Sequence, residues 1–243
     1  MLNAFLFLLI AILYASVGFG GGSGYIAILS FSNLPPTELR FIALSCNLVV
    51  VSGGTYLFIK NKVLSLRKAL PFVVTSVPMA FIGGSIALTS TPFFALLAIS
   101  LLIAGILMLI RMPTIKTPKS SNLVLNGAIG AVIGLVSGLV GIGGGIFLAP
   151  LLYLIKWDKA KVIAATASFF ILVNSVAGLA GQISAEHVSV RWTFVMPLLI
   201  AVGIGGQIGS RASINWLSQL KVKRLTAVLV IFASIRLLYK LWI

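Results

Sequence analysis

The chain has 243 residues, 60% of them hydrophobic and only 9% charged, with a mean hydropathy of +1.17. A soluble domain carries roughly 25% charged residues, so this composition excludes one and defines an integral membrane protein. The 18 Lys and Arg against 3 Asp and Glu give a formal charge of +15; that excess orients the chain and meets anionic lipid headgroups, and calls for no nucleic acid.

Apolar runs of membrane-spanning length recur along the chain, which predicts an all-α membrane protein rather than a β-barrel of short alternating strands. Eight main hydrophobic segments are expected near 2–33, 38–59, 69–89, 92–111, 122–156, 160–182, 192–210 and 217–240. The first has no basic region before it and no small-residue cleavage site after it, so it reads as a retained helix rather than a signal peptide. Inside it lies GFGGGSG, Gly18 to Gly24, and inside the fifth lies GIGGG, Gly141 to Gly145. Glycine weakens a helix interior by about 1 kcal/mol, so two such clusters mark helix breaks. In a membrane, broken backbone is tolerated only where protein or water covers it.

The second half repeats the first. A shift of 123 residues sets Gly18, Gly20, Gly21 and Gly22 on Gly141, Gly143, Gly144 and Gly145, and Ser45 on Ser168. A shift of 126 sets Pro71 on Pro197 and Gly83 on Gly209, and one of 125 sets Arg111 on Arg236. The expected organisation is one transport domain: a first membrane repeat at 1–111, a cytoplasmic linker at 112–121 and a second repeat at 122–243.

Charge then decides between two topologies. If the first and fifth segments each cross once, the 18 basic residues divide 10 to 8 between the two sides, without bias. If each turns back at its glycines as a re-entrant hairpin, all but Arg40, Arg191, Arg236 and Lys240 share one side. The second split is the one expected of a cytoplasmic face. Hairpins give each half five membrane-entering pieces, an odd number, so the halves become inverted repeats with both termini outside the plasma membrane. That arrangement recurs in transporters, with the site where the broken helices meet.

The three acidic residues, Glu38, Asp158 and Glu186, fall in or beside loops. Proton- and cation-coupled carriers place carboxylates inside their spans, so the chain is better suited to an anion. A helix N-terminus offers unpaired N–H groups and partial positive charge, and glycine lets a ligand approach it. Gly20, Gly21, Gly22 and Ser23, with Gly143, Gly144 and Gly145, are therefore the candidate anion-binding turns. Ser45, Asn47, Thr166, Ser168 and Asn174 are candidate polar walls, Thr166, Phe170 and Asn174 forming a stripe one turn apart; equally, such residues serve helix packing. Nothing in the sequence calls for a metal or a cofactor, and no Lys follows GFGGGSG as a nucleotide loop requires.

A rival reading takes Gly21-Gly22-Ser23-Gly24 as the nucleophile turn of an intramembrane serine hydrolase. It needs a base within reach, yet the sole histidine, His187, falls in an outside loop and Ile146 stands at the serine position of the second copy. A non-transporting assembly subunit is a further alternative. Cys46 reads as a packing residue, Trp157, Trp192, Trp216 and Trp242 as an interfacial belt, and Arg211 as a snorkelling cation.

At these residues the chain resembles the sulfite exporter TauE/SafE family of membrane transporters over nearly its full length. The resemblance rests on a G-x-G-G-G turn in each half, a proline soon after, and an Ala-to-Ser stretch in the next helix. Gly141, Gly143, Gly144, Gly145 and Pro150 match, as do Ala165, Thr166 and Ser168. The first half departs from the pattern, with Ala27 in place of the proline and Ser23 and Gly24 in place of Ile146 and Phe147. The resemblance implies transport of a small, sulfur-containing or organic anion such as sulfite, a sulfonate or sulfoacetate.

Overall fold

The computed structural model describes residues 2–32, 34–109, 122–185, 190–215 and 219–242; the expected linker at 112–121, Glu186, His187 and Trp216 lie outside the described residues. The described residues form ten helices and no strand. They are α1 Leu2–Ala15, α2 Gly22–Leu29, α3 Pro36–Lys60, α4 Leu66–Ser85, α5 Ser90–Leu109, α6 Leu123–Val140, α7 Gly145–Leu154, α8 Ala160–Ala185, α9 Trp192–Asn215 and α10 Gln219–Trp242. Local chemistry places their ends. Pro36 opens α3 with Glu38 in its first turn, a position where proline and a carboxylate are both favoured. Asn122 caps α6, its Oδ1 accepting from the Val124 and Leu125 N–H groups at 3.0 and 3.3 Å.

Each glycine-bearing segment is two helices. α2 folds back along α1: Phe7 stacks on Tyr25 at 4.6 Å, the Ser23 hydroxyl donates to the Tyr14 hydroxyl at 3.2 Å, and Gly24 faces Ile10. Among the described residues six helices, α3 to α6, α8 and α9, are long and apolar enough to cross a membrane. Their outward faces are apolar too, with Ile99, Ile103 and Ile106 on α5 and Ile200, Ile204 and Ile208 on α9 all exposed, as helices in contact with lipid require.

The helix contacts obey a two-fold rule. Exchanging α1–α5 with α6–α10 maps every substantial contact onto another: α1 on α9 matches α6 on α4, α2 on α3 matches α7 on α8, and α2 on α10 matches α7 on α5. The pairs α3 with α8 and α5 with α10 map onto themselves. At the centre α3 and α8 run antiparallel, since Gln182 Nε2 donates to the Thr37 carbonyl, Leu44 faces Gly178, and Thr55 meets Ser168. Small residues allow the flanking seams. Gly130, Gly134 and Gly138 of α6 lie directly on the backbone of Phe72, Ser76 and Ala80 in α4, where any side chain would overlap it. Gly205 and Gly209 of α9 do the same against Leu8 and Ile12 of α1. Close backbone approach of this kind is the usual basis of helix association in lipid.

Two ion pairs follow the same two-fold rule. Glu38, in the first turn of α3, pairs with Arg191 before α9 (3.4 Å), and Asp158, just before α8, pairs with Lys68 in the first turn of α4 (2.6 Å). Both carboxylates are buried and both cations exposed. Trp192 is exposed and meets Phe41 edge-on, whereas Trp157 is buried edge-on against Phe72.

Candidate functional site

The two helix breaks share two left-handed glycines each and differ at a third, Gly143 being left-handed at φ 82° where its counterpart Gly20 is not. Gly18 and Gly141 are left-handed at φ 83° and 79°, and Gly21 and Gly144, the residues before α2 and α7, at φ 92° and 80°. Only glycine adopts this region without strain. Neither Gly21 nor Gly144 provides a side chain to cap the helix that follows, so the N–H groups there need partners from elsewhere.

One residue supplies them on one side and ties the two breaks together. Asn47, fully buried in the middle of α3, accepts from the Gly22 N–H through Oδ1 at 2.8 Å and donates from Nδ2 to the Ile142 carbonyl at 3.0 Å. Its carboxamide is packed so closely that a Cβ at Gly20, Gly22 or Gly143 would collide with it. Gly144 lies against Phe170, the residue 123 positions after Asn47, and Gly145 against Ile171. The candidate residues Gly20, Gly21, Gly22, Asn47, Gly143, Gly144 and Gly145 thus meet at one place.

Around that place are buried hydroxyl and amide oxygens without a hydrogen-bond partner. They include Tyr25 Oη beside Gly21, Ser175 Oγ beside Gly143, Ser137 Oγ next to Gly144, and Asn174 Oδ1. A buried polar group left unpaired costs about 1–3 kcal/mol, so the three hydroxyls would gain by turning to an arriving oxyanion, whereas the Asn174 oxygen can only accept. Asn174 itself bonds through Nδ2 to the Phe170 carbonyl at 2.8 Å.

The remaining candidates stand apart. Ser168 Oγ is 3.0 Å from Thr55 Oγ1, two turns along α3 from Asn47. Thr166 is buried with its hydroxyl unpaired. Ser45 is half-buried and, two residues before Asn47, points about 200° away round the helix. The Ser23 hydroxyl is taken by the phenol of Tyr14.

A cavity of about 360 Å³ leads to the first break, lined by Gly18, Phe19, Val51 and Gly54, by Ser168 on its wall, and by Lys161 and Asn61. The residues that sequence reasoning misses are Thr55, Ser137, Ser175 and, most of all, Arg40. Arg40 is fully buried, donating from Nη1 to the Ile86 carbonyl at 2.9 Å and from Nη2 to the Gly84 carbonyl at 2.5 Å. It is not the solvated flanking charge that counting basic residues implies. A second cavity, of about 680 Å³, lies between α1, α2 and α10, with Arg236 stacked 4.3 Å over Phe31 at its rim.

Ten helices among the described residues, six of them both long and apolar enough to span, with outward apolar belts and a buried meeting of two broken helices, define a multi-pass membrane protein. Residues 3–237 match the family model described as sulfite exporter TauE/SafE, and the chain belongs to that family of membrane transporters. It is 35% identical to a probable membrane transporter protein of Sinorhizobium fredii over 97% of both chains. It is 24% identical to another from Bacillus subtilis over 92% of both, and 27% identical to one from Xylella fastidiosa, covering 92% of this chain and 89% of that one. No solved structure matches it.

Proposed function

We propose that this chain carries a small anion across the plasma membrane by alternating access, binding it at the facing N-termini of α2 and α7. The family's description names sulfite, and the substrate proposed is sulfite or a chemically related anion such as a sulfonate or sulfoacetate. One observation carries the reading: two glycine-opened helix starts are held on the single carboxamide of Asn47. Each start carries roughly half a positive charge, and the only acidic side chains described, Glu38 and Asp158, are paired with cations at the beginnings of α3 and α8.

In this reading residues 1–111 and 122–243, joined by the linker at 112–121, are inverted repeats with both termini outside, and α1–α2 and α6–α7 are re-entrant hairpins. The antiparallel crossing of α3 with α8, the two-fold pattern of contacts and the return of α2 along α1 support it. A two-fold axis lying across a helix pair relates helices of opposite direction; an axis along them would not. With such halves, exchange of their conformations opens one site to each side in turn.

Export then needs no coupling ion. An inside-negative potential favours anion exit by about 2.3 kcal/mol per charge per 100 mV, close to a fiftyfold concentration ratio. The test is flux in proteoliposomes with an imposed potential, using sulfite, thiosulfate, sulfonates and small carboxylates. Potential-dependent movement of at least one of these is expected; movement of none, by protein shown to be folded, overturns the reading.

A further inference from the structure

The two-fold relation between the halves makes an asymmetry visible. Gly18 packs on Ala164 near the start of α8, and Gly141 packs on Arg40 near the start of α3. Beside the first contact is the 360 Å³ cavity, with Phe58 and Ser210 on its walls and Ser168 further in. Beside the second there is packed protein. Gly84, 126 residues before Ser210, lies directly on the Gly178 carbonyl, and Gly181, 123 after Phe58, lies on that of Phe81. So the end of α4 is closed onto α8 where the end of α9 stands off α3.

Arg40 holds that closure. Its guanidinium bonds the Gly84 and Ile86 carbonyls, the last turn and cap of α4, while its stem lies against Gly141. A cation at a helix C-terminus is stabilised by the dipole and by unpaired carbonyls. Yet a guanidinium is also the side chain best shaped to take an oxyanion through two parallel bonds.

We propose that the space beside Gly141 is a second, latched mouth to the helix breaks. Arg40 is its latch, and on opening Arg40 is the cation that receives the anion there. Release from Gly84 and Ile86 lets the end of α4 leave α8 and forms the counterpart of the open cavity, with Ser45 where Ser168 stands in the present one. The anion part of this inference rests on the transport reading above; the latch does not.

The test uses the full chain in proteoliposomes, with the single Cys46 replaced by Ala and reporter cysteines at Ser45 or Ser210. A membrane-impermeant maleimide is applied from each side. Arg40→Gln is expected to raise labelling of the Ser45 reporter about tenfold, the population shift that loss of one charge-assisted bond produces, and to lower labelling of the Ser210 reporter. Arg40→Lys, which keeps charge but not the fork, should fall between and serves if Arg40→Gln does not fold. Unchanged labelling of both reporters in folded variants overturns the latch. Sulfite, or whichever anion of the flux panel moves, should slow labelling of the Ser45 reporter when Arg40 is present and not in Arg40→Gln. Equal protection in both overturns the anion role, whereas absence of flux for every anion counts against the transport reading and leaves the labelling result standing.

Discussion

Asn47 and Ile142, 95 residues apart in the chain, are joined by a buried hydrogen bond of 3.0 Å from the Asn47 carboxamide to the Ile142 carbonyl. The other end of that carboxamide takes the Gly22 N–H, so one side chain fixes the distance between the two breaks. Asn47→Ala leaves both backbone groups buried and unpaired, and is expected to cost about 2–6 kcal/mol for the pair, seen as a lower Tm with lost flux. Asn47→Asp is the sharper variant. Its carboxylate still accepts from Gly22 but faces the Ile142 carbonyl with no proton to give, and it fills the positive end of α2. Anion flux should fall at least about tenfold, with Tm lowered less than in the alanine variant, as charge-assisted bonding at a helix start offsets part of the loss. Flux at the native level in Asn47→Asp would show that the anion passes elsewhere.

Gly143→Ala and Gly127→Ala separate the break from ordinary helix packing. Gly143 has φ 82° and no room for a methyl beside Asn47 and Ile171, whereas a methyl at Gly127 meets Thr75 Cγ2 at 3.4 Å and the Pro71 carbonyl at 3.9 Å, both tolerable contacts. Strain at the first should cost about 1–3 kcal/mol and reduce flux. At the second, alanine's helix preference of about 1 kcal/mol over glycine makes the change neutral or stabilising. Thermal unfolding of the two purified variants checks the order.

The two ion pairs should be unequal in strength although they occupy matched places. Lys68 approaches Asp158 at 2.6 Å and Arg191 approaches Glu38 at 3.4 Å, with cation side chains 54% and 65% exposed. Solvent screening holds each near the range of surface pairs, about 0–1 kcal/mol, with the shorter at the upper end. Lys68→Gln is expected to lower Tm more than Arg191→Gln. Added salt should narrow the gap between native protein and Lys68→Gln; a gap insensitive to salt would mean the lysine acts through packing alone.

Thr55 and Ser168 offer a check on the central antiparallel crossing. Their hydroxyls meet at 3.0 Å across α3 and α8, and inter-helix bonds of this type contribute about 0.6 kcal/mol in a membrane. A double-mutant cycle with Thr55→Val and Ser168→Ala should return a coupling of that size. Additive effects would mean the two helices do not hold this register in lipid.

Much of this architecture is legible in the sequence because two signals are local. Glycine clusters inside apolar runs predict breaks at Gly18–Gly24 and Gly141–Gly145, and α1 ends before the first while α7 begins at the last residue of the second. The matched offsets of 123 and 126 likewise reappear as contacts, Gly83 on Leu135 answering Gly209 on Ile12. What the sequence does not reveal depends on folding at long range. Asn47 reads as one polar wall residue among several, since nothing near position 47 announces Ile142. Arg40 reads as a flanking charge because its acceptors, Gly84 and Ile86, lie at the far end of the next helix. Ser45 and Ser168 match in the alignment of halves, yet only Ser168 finds a partner across the helix pair, because Thr55 has no hydroxyl counterpart at Gly178.

The departure from symmetry at Asn47 and Phe170 has an energetic outcome. If the halves traded shapes, a phenyl ring would take the place of the carboxamide, and it can neither accept from an amide nor donate to a carbonyl. The mirrored arrangement would therefore lack both bonds of the clasp and lie uphill of the one described. On the alternating-access reading proposed above, identical copies would idle equally toward either compartment, and unmatched side chains such as Asn47 would set the two resting states apart in energy.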